Sequence, residues 1–401
     1  MQRSNALNHD SGLLEWRSEF PILETTVYMN SNSLGAMPRG VRDELNAYAD
    51  LWETRGVRAW HEGWIDLVDD VANIYADVLG AAHGSVSMHQ NVAITEWIIL
   101  SCFDFDGPRK KIVYTDMNFP SVMYIYEEQR RRGAEICVVP SEDGCGVDLE
   151  RLLAAIDEDT LLVPISHVLF RSGYIQDAKA IIERAHEVGA MVILDVYQSV
   201  GAVPFDVTEL GADFVVGGSV KWICGGPGAG FLYVKPELAE TLKPTCTGWF
   251  AHPRPFEFEA GAIEWADTSH RFNNGTPHIP ALYAAKSGIR IIRDVGVERI
   301  RRNSLMLTDR IIERAENLGY KLTVPRDHKH RGGTVAFDIP HTKQVTAELL
   351  ERDFVVDYRP KAGIRVSPHF YSTPEECDAV VDAIAVILDD GSWQKHGEDL
   401  Y

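Results

Sequence analysis

The 401-residue chain is short of the features that would place it outside the ordinary globular class. Its six cysteines, Cys102, Cys137, Cys145, Cys224, Cys246 and Cys377, contain no CxxC pair. That spacing excludes a ribbon- or finger-type zinc site and a disulfide framework, and leaves reduced thiols and no metal as the expectation. No apolar run reaches the roughly 20 residues of a membrane-spanning helix. The opening MQRSNALNHDSGLLEW has no signal-peptide core, so a cytoplasmic protein is expected. Positive charge is scarce: 39 Lys and Arg stand against 59 Asp and Glu, a net charge of -20. Nucleic acid and anionic membrane are thereby poor partners. Repeats and low-complexity tracts are absent. What remains is 45% apolar and 24% charged, long enough for a large core with a second, smaller domain.

The pattern along the chain has two regimes. Residues 41–80 read as helical, with Val41, Leu45, Tyr48 and Leu51 near one face. From there to about residue 280, apolar runs alternate with amphipathic stretches. KIVYTD (111–116), EICVVP (135–140), LLVPIS (161–166), VILD (192–195), DFVVGG (213–218) and GFLYV (230–234) read as buried strands. AKAIIERAHEVG (178–189) reads as a helix closed by Gly189. This alternation predicts an α/β fold with a mostly parallel sheet, and ligands bound at the carboxyl ends of its strands. Past residue 280, helices over about 280–318 are followed by GTVAFDIP, a helix over VTAELLER, and GIRVSPHF. A last helix is signalled by Thr373 as N-cap, Pro374 at N1 and Glu376 closing a capping box. We expect a large domain over 46–285 and a small α+β domain from 286–401 together with 1–45.

Two residues of the large domain ask for a chemical reason. Asp195 ends the run MVIL, where its carboxylate faces the ligand edge of the sheet; capping a following helix is the plain alternative. Lys221 lies 221 − 195 = 26 residues later, in GGSVKWICGGPGAG, a cation among small and apolar residues. A solvated surface lysine is the common case. An amine held in a partly dry turn has a lowered pKa and can serve as a nucleophile or Schiff-base group. An acid at a strand end and a lysine one β–α–β unit later suit pyridoxal phosphate, with the lysine holding the aldehyde and the acid keeping the ring nitrogen protonated. Gln198, three residues past Asp195, is placed to donate to the ring's phenolic oxygen. A dinucleotide loop in GGPGAG is excluded by order, because that loop follows a strand and opens a helix, whereas this one leads into a strand.

With its flanks, LDVYQSVGAVPFDVTELGADFVVGGSVKWICGGPGAGFLYV strongly resembles the cofactor-binding core of the class V aminotransferase superfamily of fold type I pyridoxal-phosphate enzymes. Within it, the chain is most similar to kynureninase and its relatives, from VYMNSNSLG (28–35) to GIRVSPHFYSTPEE (363–376). The resemblance implies Lys221 and Asp195 as catalytic residues. It implies a phosphate held by the backbone of Ala93 and Ile94 in QNVAIT and contacted by Ser219, and a cofactor ring stacked on Phe119. It implies a homodimer in which Trp249 of GWFAH, and Gly275 and Thr276 of NNGTP, reach the neighbour's phosphate. Arg365 then takes the substrate's α-carboxylate, a planar anion suited to a guanidinium fork. Asn32 and Ser33 of the SNSLG segment belong to the substrate side. Without their flanks, Phe119 would be an ordinary core ring and Arg365 a structural ion pair.

Three positions depart from the kynureninase pattern. Val220 replaces the tyrosine before the lysine, which binds phosphate and moves protons; Val122 replaces an aspartate; Gln198 replaces a histidine, as in cysteine desulfurases. DYRPKAGIR (357–365) lacks the mobile cysteine of a desulfurase, and Cys377 falls after it. The expected enzyme breaks a bond at the β-carbon of an α-amino acid other than kynurenine, with Tyr174, His369 or Tyr371 as candidate acids. Transamination and non-catalytic cofactor binding are the alternatives.

Overall fold

A computed structural model describes residues 10–397; residues 1–9, part of the stretch read for a targeting signal, and 398–401 lie outside the described residues. The large sheet has seven strands in the order Val86–His89, Gly230–Val234, Phe214–Gly218, Met191–Asp195, Thr160–Ser166, Lys111–Thr115 and Glu135–Val139. Six strands point the same way, and Gly230–Val234 is antiparallel to both its neighbours. The inner strands are buried on both faces, because their alternate residues enter different cores: Val192 and Leu194 one, Ile193 the other. Strand Val86–His89 was not anticipated. Its four residues are too few to show a period.

The helix expected over 41–80 is two helices, Gly40–Arg55 and Ile65–Leu79. Gly56, at φ 55°, ends the first where a side chain would be strained. Leu45, expected inside, is exposed. Helices Ile279–Val295 and Val297–Asn317 meet at Gly296. The first packs on the two N-terminal helices. The second joins helices Thr342–Glu351 and Pro374–Asp390 over a four-stranded antiparallel sheet, in a separate core. Thr373 and Glu376 form the expected capping box. The N-terminal strand Val27–Tyr28 pairs in parallel with Phe354–Val355. Among the described residues no helix is long and apolar enough to cross a membrane.

The glycine run after Lys221 is explained by packing. A Cβ on Gly225 would lie 2.9 Å from the Ala285 Cα, and one on Gly228, at φ 102°, 2.9 Å from His278 and Ala281. Only glycine lets this loop lie against helix Ile279–Val295, and that contact fixes the turn that carries Lys221.

Candidate active site

Asp195 closes its strand in register with Ser166 on one side and Val216 on the other. Its carboxylate Oδ1 accepts the Tyr197 N–H at 2.8 Å. Lys221 follows the neighbouring strand, so the 26-residue spacing becomes adjacency at one sheet edge. The two residues line a cavity of about 460 Å³ with Asn91, Ala93, Phe119 and Gln198. Its remaining wall is largely apolar: Val92, Val122, Val168, Phe170 and Val220. The Lys221 amine lies 4.5 Å from the ring centroid of Tyr197 and 5.6 Å from that of Phe119. Burial lowers the lysine to about 8, with Asp195 opposing the shift. Burial pushes Asp195 up, against the pull of the Tyr197 N–H and of Lys221.

The phosphate-side residues are only partly as expected. Asn91 caps helix Val92–Leu100, and its side chain takes the Ile94 N–H at 3.1 Å. Ile94 therefore has no free donor. The N–H groups of Val92 and Ala93 have no partner among the described residues. Ser219 is buried, and its hydroxyl donates to the Gly226 carbonyl at 2.5 Å. Gln198 is held at both ends, donating to the Asn32 carbonyl at 2.9 Å and accepting from the Trp222 indole at 3.0 Å.

Arg365 is 2% exposed. It forks onto Asp357 through Nε, at 2.8 Å, and Nη2, and donates to the Phe170 carbonyl through Nη1 at 2.6 Å. The structural ion pair is therefore real. Asp357 and Arg365 are direct partners across the hairpin 357–366. Arg359 also reaches Asp357 at 3.1 Å and donates to the Ser33 hydroxyl at 3.3 Å. All three charges act on the Lys221 amine. The Asn32 side chain is buried with both polar atoms unpartnered.

Trp249, Gly275 and Thr276 do not join this cavity in the single chain. Trp249 sits in an aromatic cluster with Phe250, Phe256 and Phe258 beside a separate cavity, and Gly275 and Thr276 are exposed. Nor do the three candidate acids line it. Tyr174 stacks on His330 at another cavity. The His369 Nε2 bonds to the Trp222 carbonyl and its Nδ1 accepts the Phe370 N–H. Tyr371 is fully buried against Ser31. Residues the sequence reading passed over are Tyr197 and Asp357. Asp357 had a signal, an acid and a base flanking the turn in DYRPKAGIR; Tyr197 had none beyond its place two residues after Asp195.

The class-V aminotransferase family model matches residues 27–380. The chain belongs to this family. Among its relatives is a kynureninase of Pseudomonas fluorescens, 32% identical, covering 97% of this chain and 95% of that protein. Another is YcbU of Bacillus subtilis, named an uncharacterized aminotransferase, 33% identical over 92% of this chain and 97% of that protein. In fold it is similar to the apo cysteine desulfurase of Thermococcus onnurineus NA1: TM-score 0.82, 23% identity, 94% of this chain and 98% of that one. As a member of the class-V aminotransferase family the protein is a pyridoxal 5'-phosphate-dependent enzyme. The cavity fits that group. It offers an amine for the aldehyde, a buried acid for the ring nitrogen, a 43% exposed Phe119 for the ring face, and unpaired helix N–H groups for the phosphate.

Proposed function

We propose that this enzyme releases a substituent from the β-carbon of an α-amino acid other than kynurenine. The observation that carries the proposal is the apolar wall of the Lys221 cavity. Val122 and Val220 line it where the kynureninase pattern has an aspartate and a tyrosine. The bound cofactor supplies an electron sink that acidifies the substrate's Cα proton. Lys221 Nζ, lowered to about 8, is the base placed to take that proton. Asp195 holds a proton on the ring nitrogen. Arg365 binds the α-carboxylate with the N–H groups left over from Asp357 and Phe170. Expelling a carbon fragment requires hydration of a γ-carbonyl and an acid to assist. Neither valine can donate or accept a proton. A thiolate-like group leaves without that help, so an S-substituted or similarly activated β-position is favoured.

Transamination is the second reading, favoured by the 33% identity to a relative named as an aminotransferase. In either reading the working form is a homodimer, with Trp249, Gly275 and Thr276 reaching the partner's cofactor. The test is product analysis with kynurenine, 3-hydroxykynurenine and a series of S-substituted cysteines, with and without a keto acid. Pyruvate from the cysteines without keto acid is expected. Efficient release of anthranilate refutes the exclusion of kynurenine, and strict dependence on the keto acid selects the aminotransferase.

A further inference from the structure

Tyr197 is held in an unusual way for a residue on the rim of a cavity. Its backbone N–H is fixed to Asp195, and its ring runs under the Lys221 amine. The phenol then reaches across Gly218, where a Cβ would lie 2.8 Å from the oxygen. A side chain at 218 would therefore expel it. Close by is Tyr75, fully buried, whose own hydroxyl has no partner and which faces Ser219. Ser219 bonds to Ala229, and Gly230 packs against the backbone of Asn91, with Cβ space of only 2.9 Å. The phenol and the unpaired N–H groups of Val92 and Ala93 belong to the lining of the same cavity.

Among the residues that line the cavity, the Tyr197 hydroxyl and the unpaired backbone N–H groups of Val92 and Ala93 are donors left to a ligand. Such a set complements a dianion. Burial, reinforced by Asp195, holds Tyr197 up at about 12, so it is a neutral donor at any working pH.

We propose that Tyr197 is a cofactor-binding residue whose phenol donates to the phosphate of the bound cofactor, on the side where Val220 offers no side-chain donor. Its ring forms a second aromatic wall opposite Phe119. The role deepens the cofactor assignment and is independent of which reaction follows.

The test compares binding of pyridoxal phosphate and of pyridoxal, which lacks the phosphate, to the cofactor-stripped full-length protein by absorbance and fluorescence titration. Tyr197→Phe keeps the ring and removes the donor. It should weaken pyridoxal phosphate about 10- to 100-fold, the range for a hydrogen bond to a charged group, and leave pyridoxal nearly unchanged. Adding Val220→Tyr to that variant should restore part of the preference for the phosphorylated form. An unchanged preference in Tyr197→Phe, or an equal loss for both compounds, would overturn the proposal. A wild-type protein that binds neither compound would overturn the cofactor assignment with it.

Discussion

Replacing Arg365 by alanine separates the ion-pair role seen in the structure from the carboxylate-binding role proposed for the same side chain. Three of the five guanidinium N–H groups are taken, two by Asp357 and one by the Phe170 carbonyl. One on each Nη remains for a substrate. Losing one partner of a desolvated charge pair costs about 2–5 kcal/mol. That is roughly one to four powers of ten in kcat/KM at about 1.4 kcal/mol per tenfold. The same truncation strips Asp357, itself buried, of its main partner. Breaking a buried pair costs about 3–5 kcal/mol of stability. The lower end applies here, because Arg359 stays at 3.1 Å, although 40% of its side chain is exposed and screened. The assay measures kcat/KM for the best amino acid and for the amine lacking its carboxylate, together with the melting temperature. Arg365→Ala should melt lower and lose discrimination between acid and amine. Arg365→Ala combined with Asp357→Asn should recover much of the stability, since no orphaned carboxylate remains, and still not discriminate. Retained discrimination in the single variant would show that Arg365 is an ion-pair residue alone. A double variant as unstable as the single one would refute the orphaned-acid argument.

The buried histidines His89, His167 and His369 are each held down at about 4 by burial, against an ordinary 6.5. Between those values the unfolded chain binds protons that the folded one does not, so stability is full above pH 6.5 and declines as pH falls toward 4. A denaturation midpoint that stays flat across that window would contradict this, and His89→Gln should shallow the slope. On the proposed shared-site homodimer, mixing inactive Lys221→Ala with inactive Trp249→Ala should regenerate activity, because a mixed dimer then contains one site with both residues intact. No recovery after demonstrated subunit exchange would mean that the sites are not shared.

Local chemistry makes much of this protein legible in its sequence. The parallel strands announced themselves because a sheet covered on both faces needs unbroken apolar runs, as in Met191–Asp195 and Phe214–Gly218. Thr373, Pro374 and Glu376 marked a helix start because a cap is satisfied within four residues. Asp195 and Lys221 stood out because a charge at the end of a buried strand needs a partner or a purpose. The tertiary structure decided what depends on neighbours distant in sequence. It gave Ile94's N–H to Asn91, joined Arg365 to Asp357 across a hairpin, and kept Tyr174, His369 and Tyr371 out of the cavity. It placed Tyr197 beneath the lysine through a gap that only Gly218 leaves open. A hydrogen bond or a ring contact is set within a few ångströms, and for these residues that distance is fixed by how strands and loops pack. Spacing along the chain does not encode it.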